Sequence, residues 1–224
     1  MLNRLELQRI WNHSHCEKPI SEQPESSIIA FAEYIQKRLP SRVSLLDVGC
    51  GRGRNALYLS RLGFSVYGCD LSPVALEIAM KRAQQVDLPI NFQVADLTCL
   101  PYTDNSFAVA ICVHVLPYHL KTNIAKGIRE LWRVVQPNGW LFVDFLDCDD
   151  AEHGCGQKLE EHTFLDPIGT PIHFSSWQEI NELLNGFVLE RATRNELKSS
   201  TARNRVTWTI WAVKCTEENH KVQT

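Results

Sequence analysis

Asp47-Val48-Gly49-Cys50-Gly51-Arg52-Gly53 is the run of this chain best suited to holding a ligand. Glycines at alternate positions permit a tight left-handed turn and leave the peptide edge bare, so a ligand can lie directly on the backbone. A dinucleotide loop reads G-x-G-x-x-G and grips a pyrophosphate at a helix N-terminus. Here the last glycine comes one residue early, and Arg54 stands where that motif needs glycine. No Gly-Lys-Ser/Thr follows, as a triphosphate loop would require. The loop therefore suits a nucleoside-like ligand without a pyrophosphate.

Asp47, Asp70 and Asp96 each close a short apolar run. In a doubly wound sheet the ends of such strands share one rim, and ligands sit there. An acid after the second strand can accept from two ribose hydroxyls, and an acid after the third from an adenine amino group. Singly, each aspartate is also an ordinary turn residue; three in register behind such a loop are not.

Elements that would place these residues are visible in the hydrophobic pattern. Residues 26–39 are helical with an apolar face and end at Pro40. Apolar runs at 43–48, 65–69, 90–95, 107–113 and 140–145 read as buried strands, separated by helices at 53–62, 72–86 and 121–135. Ser72-Pro73 marks a helix start, and Ser176-Trp177-Gln178-Glu179 is a capping box opening a helix to about residue 185. Strands apolar throughout and alternating with helices imply an α/β fold with a parallel sheet covered on both faces. Residues 186–194 and 203–213 add a terminal hairpin, while the polar stretch 147–175 is too long for a plain connection and reads as a lid.

Composition bounds the function. The 224 residues carry a net charge of −3, with 44% hydrophobic and 22% charged residues, which gives no field to gather nucleic acid or anionic lipid. The longest apolar run, 107–113, is far short of the ~20 residues of a membrane helix. No charged-then-apolar start marks a secretory signal, so a cytoplasmic protein with reduced thiols is expected. The 8 cysteines form no C-x-x-C pair. Although His13, His15 and Cys16 lie close in sequence, no metal is expected. An acidic stretch (Asp144, Asp147, Asp149, Asp150, Glu152, Glu160, Glu161) and a basic one (Arg191, Arg194, Lys198, Arg203, Arg205) read as solvated faces that partly neutralise each other.

LLDVGCGRG, YGCDLSP, VADLTCLPYTDNSF and ELWRVVQPNGWLFVDF together resemble the class I S-adenosylmethionine-dependent methyltransferases over 45–145. Within that class the chain is most similar to small stand-alone bacterial enzymes of the tellurite-resistance or quinone-biosynthesis type. The resemblance implies a three-layer Rossmann-like fold with a seven-stranded, mostly parallel sheet of order 3-2-1-4-5-7-6, strand 7 antiparallel. It divides the chain into an N-terminal helical cap (1–40), the methyltransferase domain (41–215) with its lid insertion (147–175), and a flexible tail (216–224). It places Gly49, Gly51 and Gly53 under the methionine part of S-adenosylmethionine, with Asp47 steering the amino group. Asp70 matches the ribose acid, and Leu71 packs on the adenine. Asp96 matches the partner of the adenine amino group, the Leu97 N–H faces the ring, and the Val113 carbonyl holds the ammonium. Ala108 and Asn138 depart from the family's aspartate and turn glycine.

A methyltransferase holds acceptor and methyl group in line and needs a base only for a protonated acceptor. His114, Tyr118 and His173 are the candidates for that work, with His119 beside them and His153, Glu160, Glu161 and His162 in the lid. A small-molecule acceptor is expected; the oligomeric state is not legible. A non-catalytic cofactor-binding sensor or scaffold stays open, as does a nicotinamide-dependent oxidoreductase.

Overall fold

A computed structural model describes residues 4–17, 22–197 and 204–215. Two helices, α1 (Arg4–Glu17) and α2 (Ser26–Gln36), precede the sheet. Then β1 (Ser44–Val48), α3 (Arg54–Arg61), β2 (Ser65–Asp70), α4 (Pro73–Gln85) and β3 (Asn91–Val94) alternate. They are followed by β4 (Phe107–Cys112), a 3-10 turn (Leu116–Tyr118), α5 (Lys121–Val134) and β5 (Val135–Asp147). The chain continues through β6 (Gln157–Glu160), β7 (Thr163–Leu165), β8 (Pro171–Ser175), α6 (Trp177–Leu183), β9 (Phe187–Leu197) and β10 (Arg205–Lys214).

The central sheet runs β3-β2-β1-β4-β5, all parallel. On the far side of β5, β10 pairs antiparallel from Thr207↔Leu146 to Val213↔Trp140, and β9 pairs antiparallel on β10. Counting only these seven strands, this is the order and the antiparallel seventh strand that the resemblance implies.

Alternation along the strands divides the core in two, because successive side chains face opposite sides of a sheet. Val109 and Ile111 of β4 and Phe142 of β5 pack with Phe31 and Ile35 of α2 and Leu59 of α3. Ala110 and Cys112, with Leu141 and Val143, pack on the other face with Ile124, Ile128 and Leu131 of α5 and Ile180 of α6. Burying a side chain of this kind contributes roughly 1.5–3 kcal/mol, which is why these runs are apolar at every position.

The structure corrects the sequence reading in three places. Within 1–40, where the resemblance implies a helical cap, residues 4–17 form a helix whose bounds the sequence pattern did not give. β5 begins at Val135; its pairing with β4 shifts between Phe107↔Val135 and Val109↔Trp140, around the Pro137-Asn138-Gly139 turn. Asn138 there has φ 61°, a left-handed conformation that asparagine tolerates. The stretch 147–175 is not an irregular loop: β6 and β7 form a hairpin, β7 pairs with β8, and β8 joins β5 through Leu146↔Phe174 and Asp147↔Ser175. Its strands are of 3 to 5 residues, with Gly154, Gly156 and Gly169 in the turns around them, so periodicity gave no signal.

The acidic and basic stretches meet. Arg194 pairs with Asp147 at 3.2 Å and Asp149 at 2.6 Å, Arg205 pairs with Glu152 at 3.2 Å, and Trp208 Nε1 donates to Asp147. The turn at 198–203 and the expected tail lie outside the described residues.

Candidate functional site

A cavity of about 360 Å³ opens at the C-terminal rim of the parallel strands, within the ~300–1,000 Å³ of small-ligand pockets. Gly49, Gly51, Asp70, Leu71, Asp96, Leu97, Val113, His114, Tyr118 and His119 all line it. Asp47 and Gly53 lie behind that wall, and His173 lies elsewhere.

The glycine loop is held from below. Gly49 and Cys50 N–H donate to the Cys69 carbonyl at 2.7 and 2.9 Å. A Cβ on Gly49, at φ +70°, would lie 2.1 Å from Val115 Cγ2, so only glycine fits. Gly53, at φ +82°, starts α3 as its N-cap, and a Cβ there would meet Ala79 of α4 at 3.1 Å.

Each aspartate has a distinct setting. Asp47 is buried and its Oδ2 has no hydrogen-bond partner. Burial first, and the neighbouring Asp70 charge second, raise its carboxyl to about 7. Asp70 accepts Gly51 N–H on Oδ2 and Ser72 N–H on Oδ1, both at 2.8 Å, and burial raises its pKa. Each of its oxygens keeps a lone pair for a ligand. Asp96 Oδ1 takes the Thr98 N–H and hydroxyl at 2.8 and 2.7 Å, and its Oδ2 lies 3.8 Å from Arg4 Nε. Leu97 is anchored on α5, where Gly127 leaves room for it.

α1 forms the outer wall, with Trp11, Ser14 and His15 on the cavity. Gln8 Nε2 donates to the Leu71 carbonyl at 2.9 Å, the Ser72 hydroxyl to Asn12 at 2.6 Å, and Arg52 to the His15 carbonyl at 3.3 Å. Trp11 meets Tyr118 edge-on at 5.3 Å, both on the cavity wall. None of 147–175 lines the cavity; the wall expected from that stretch is supplied by α1. Sequence reasoning missed Trp11 because helix α1 is polar around most of its circumference.

The candidates for proton transfer differ sharply. His114, at φ 56°, donates its backbone N–H to Asp144 Oδ1 at 2.8 Å. Its Nδ1 lies 2.7 Å from Asp144 Oδ2 and its Nε2 3.1 Å from Glu25 Oε1. Burial pushes its pKa down, but the two carboxylates outweigh this and raise it to about 10. Glu25, hydrogen-bonded to His114 and paired with Arg54, is lowered to about 2 despite burial. His114 is thus an imidazolium near neutral pH, a fixed positive charge at the rim. Neither Glu25 nor Asp144 carried a sequence signal, since one lies before α2 and the other within a strand.

His119 is the opposite case. Its Nδ1 lies 2.9 Å from the Val115 carbonyl, which can only accept, so Nδ1 carries the hydrogen and Nε2 a lone pair. Burial lowers its pKa. Tyr118, raised by burial, directs its hydroxyl to Arg205. His173 is buried between Thr163 Oγ1 at 2.7 Å and Glu179 Oε1 at 3.2 Å, bracing β7, β8 and α6. Glu179 also takes Lys121 at 3.1 Å.

Residues 46–143 match a family model described as a methyltransferase domain. An uncharacterised methyltransferase of Bacillus subtilis, YodH, is 35% identical over 115 residues, covering 50% of this chain and 48% of that protein. A 2-methyl-6-phytyl-1,4-hydroquinone methyltransferase of Synechocystis is 36% identical over 51% of this chain and 36% of its own length. A tRNA (carboxymethyluridine(34)-5-O)-methyltransferase of Arabidopsis thaliana is 38% identical over 47% and 24%. The chain thus spans half or less of the length of these relatives. The crystal structure of magnesium protoporphyrin IX methyltransferase from Synechocystis with bound S-adenosylmethionine superposes with a TM-score of 0.69 at 17% identity, over 96% of this chain and 98% of that one. No helix of the described residues is long and apolar enough to cross a membrane.

Proposed function

Residues 46–143 belong to the methyltransferase-domain family of class I S-adenosylmethionine-dependent enzymes, and on that premise we propose that the chain methylates a small-molecule acceptor. The cofactor is S-adenosylmethionine, and the cavity fits it. The unpartnered, buried Asp47 Oδ2 sits behind the glycine loop where a cationic amino group needs a counter-charge. Asp70 retains acceptor capacity for ribose hydroxyls, and Asp96 with Leu97 bounds the far end for the base. When bound, the cofactor supplies a methyl group on a sulfonium, already activated for in-line displacement.

What the chain must add is position and proton handling. Trp11 and Tyr118 pack edge-on in the wall of a cavity of about 360 Å³, and a pocket of this size is the observation that supports a small acceptor. A net charge of −3 gives no counter-field for tRNA. His119 Nε2 takes the proton of the accepting hydroxyl or amine.

Incubation of the chain with S-adenosylmethionine and a panel of small quinols, phenols and amines, with bulk tRNA as a separate arm, tests this by S-adenosylhomocysteine release. Turnover is expected with a small acceptor, and His119→Gln is expected to lower kcat about 10²-fold or more while leaving S-adenosylhomocysteine affinity unchanged. Turnover with tRNA alone would overturn the acceptor class, and an unchanged kcat would remove His119 from the chemistry.

A further inference from the structure

Away from the cavity, three donors converge under the β6–β7 hairpin. Cys148 follows β5, His153 lies in the turn after it, and His162 sits between β6 and β7. One ligand atom from each lies within 4.8 Å of the others. His153 Nε2 faces His162 Nδ1 at 3.0 Å, so two ring nitrogens point at one another across a hydrogen-bond distance. We propose that Cys148 Sγ, His153 Nε2 and His162 Nδ1 form a site for a borderline-soft divalent metal ion of the zinc class, its fourth position open to solvent.

The donor set decides the class of ion. One thiolate with two imidazoles suits zinc or copper, whereas magnesium and calcium seek oxygen ligands, and no carboxylate belongs to the set. Zinc–nitrogen and zinc–sulfur bonds of ~2.0–2.3 Å in a tetrahedron set donors about 3.3–3.6 Å apart. The histidine pair needs to open by only a few tenths of an ångström to reach that spacing.

Surrounding groups match what a ligating histidine requires. The other ring nitrogen of His162, Nε2, lies 3.8 Å from Glu161 Oε1, a carboxylate on the outer side of the ring. The His153 ring stands edge-on to Phe164 at 5.4 Å and Phe174 at 5.3 Å, giving the cluster an apolar wall. His162 is held at φ 58° while its carbonyl accepts the Phe174 N–H at 2.9 Å, which fixes its side chain on the His153 side. An ion here ties the end of β5 to the hairpin through 3 side chains.

The test uses the full chain, stripped with a chelator under reducing conditions and titrated with Co²⁺, then with competing Zn²⁺. One equivalent of ion, with a near-ultraviolet sulfur-to-cobalt band that zinc abolishes, is expected. Cys148→Ser should remove the band. His162→Asn, which keeps a residue tolerant of the left-handed turn, should weaken zinc binding at least about tenfold. Circular dichroism and S-adenosylhomocysteine affinity report that both variants fold, since none of the 3 donors lines the cavity. Absence of the sulfur band in the wild type, or equal zinc affinity in the wild type and both folded variants, would overturn the site.

Discussion

Replacing His114 by asparagine tests the charge clamp at the cavity rim. Asparagine accepts the left-handed backbone at φ 56°, so the change removes the imidazolium and little else. Asp144, whose side chain is 8% exposed, then loses the partner of Oδ2 but keeps the backbone N–H on Oδ1. A charge-assisted hydrogen bond of this kind contributes ~1.5–3 kcal/mol when buried. The His114 side chain is 48% exposed, and solvent screening halves the figure to about 1–1.5 kcal/mol. Glu25 keeps Arg54 and adds only about 0.3 kcal/mol. Near pH 6 the variant should therefore unfold in urea with a stability lower by about 1.5 kcal/mol, a fall in Tm of roughly 3–6 °C for a chain this size. Because the folded pKa of His114 is raised to about 10 from 6.5, its contribution is complete below pH 6.5 and fades as pH climbs towards 10. Glu25, lowered to about 2 from 4.5, adds stability above pH 4.5 that is lost as pH falls towards 2. The gap between wild type and variant should accordingly be largest between pH 4.5 and 6.5 and mostly closed at pH 9.5. A gap of the same size at pH 6 and 9.5, or none at pH 6, would refute the clamp.

Two further substitutions probe the loop. Asp70→Ala removes the acceptor proposed for ribose hydroxyls and the brace on Gly51, and S-adenosylhomocysteine affinity should fall at least about tenfold by calorimetry, with the far-ultraviolet spectrum unchanged; equal affinity would sink the assignment. Gly49→Ala places a Cβ 2.1 Å from Val115 Cγ2 at a left-handed position; about 1–2 kcal/mol of backbone strain and about 1–3 kcal/mol of overpacking should cost about 2–5 kcal/mol in urea denaturation, and a loss under 1 kcal/mol would show that Val115 yields freely.

Legibility in the sequence followed interaction range. β1, β4 and β5 are apolar at successive positions because both faces are covered, so each could be read alone. The Ser72 cap was also local: its hydroxyl accepts the Ala75 N–H at 3.1 Å. Asp70 and Asp96 were found because strand ends define a rim. The His114 clamp was not, because Glu25 and Asp144 come from distant segments and only the fold brings them together. For the same reason Trp11 was missed, and His153 and His162 were read as lid candidates without Cys148: their spacing has no regular period, and a hairpin rather than a helix face brings these three together. The Ser176 box was legible only in half. Ser176 Oγ accepts the Glu179 N–H at 3.2 Å, but the Glu179 carboxylate turns to His173 and Lys121, which no local pattern encodes.

The position of β10 has a consequence for the order of synthesis. β5 is buried by the fold, yet one of its edges is paired over Trp140–Phe145 by β10, the last strand among the described residues. On a ribosome adding ~5–20 residues per second, the stretch from Asp147 to Lys214 takes roughly 3–13 s to appear. During that interval a long apolar edge, with Trp140, Phe142 and their neighbours, stands without a partner, and such an edge pairs readily with other nascent chains. The β6–β8 excursion emerges first, and β8 reaches β5 only at Leu146 and Asp147, so it shields the tip and leaves the rest. Trp211, which later closes on Phe31 and Tyr34, arrives late as well. A chaperone that holds the growing chain for those seconds therefore has one strand edge to guard.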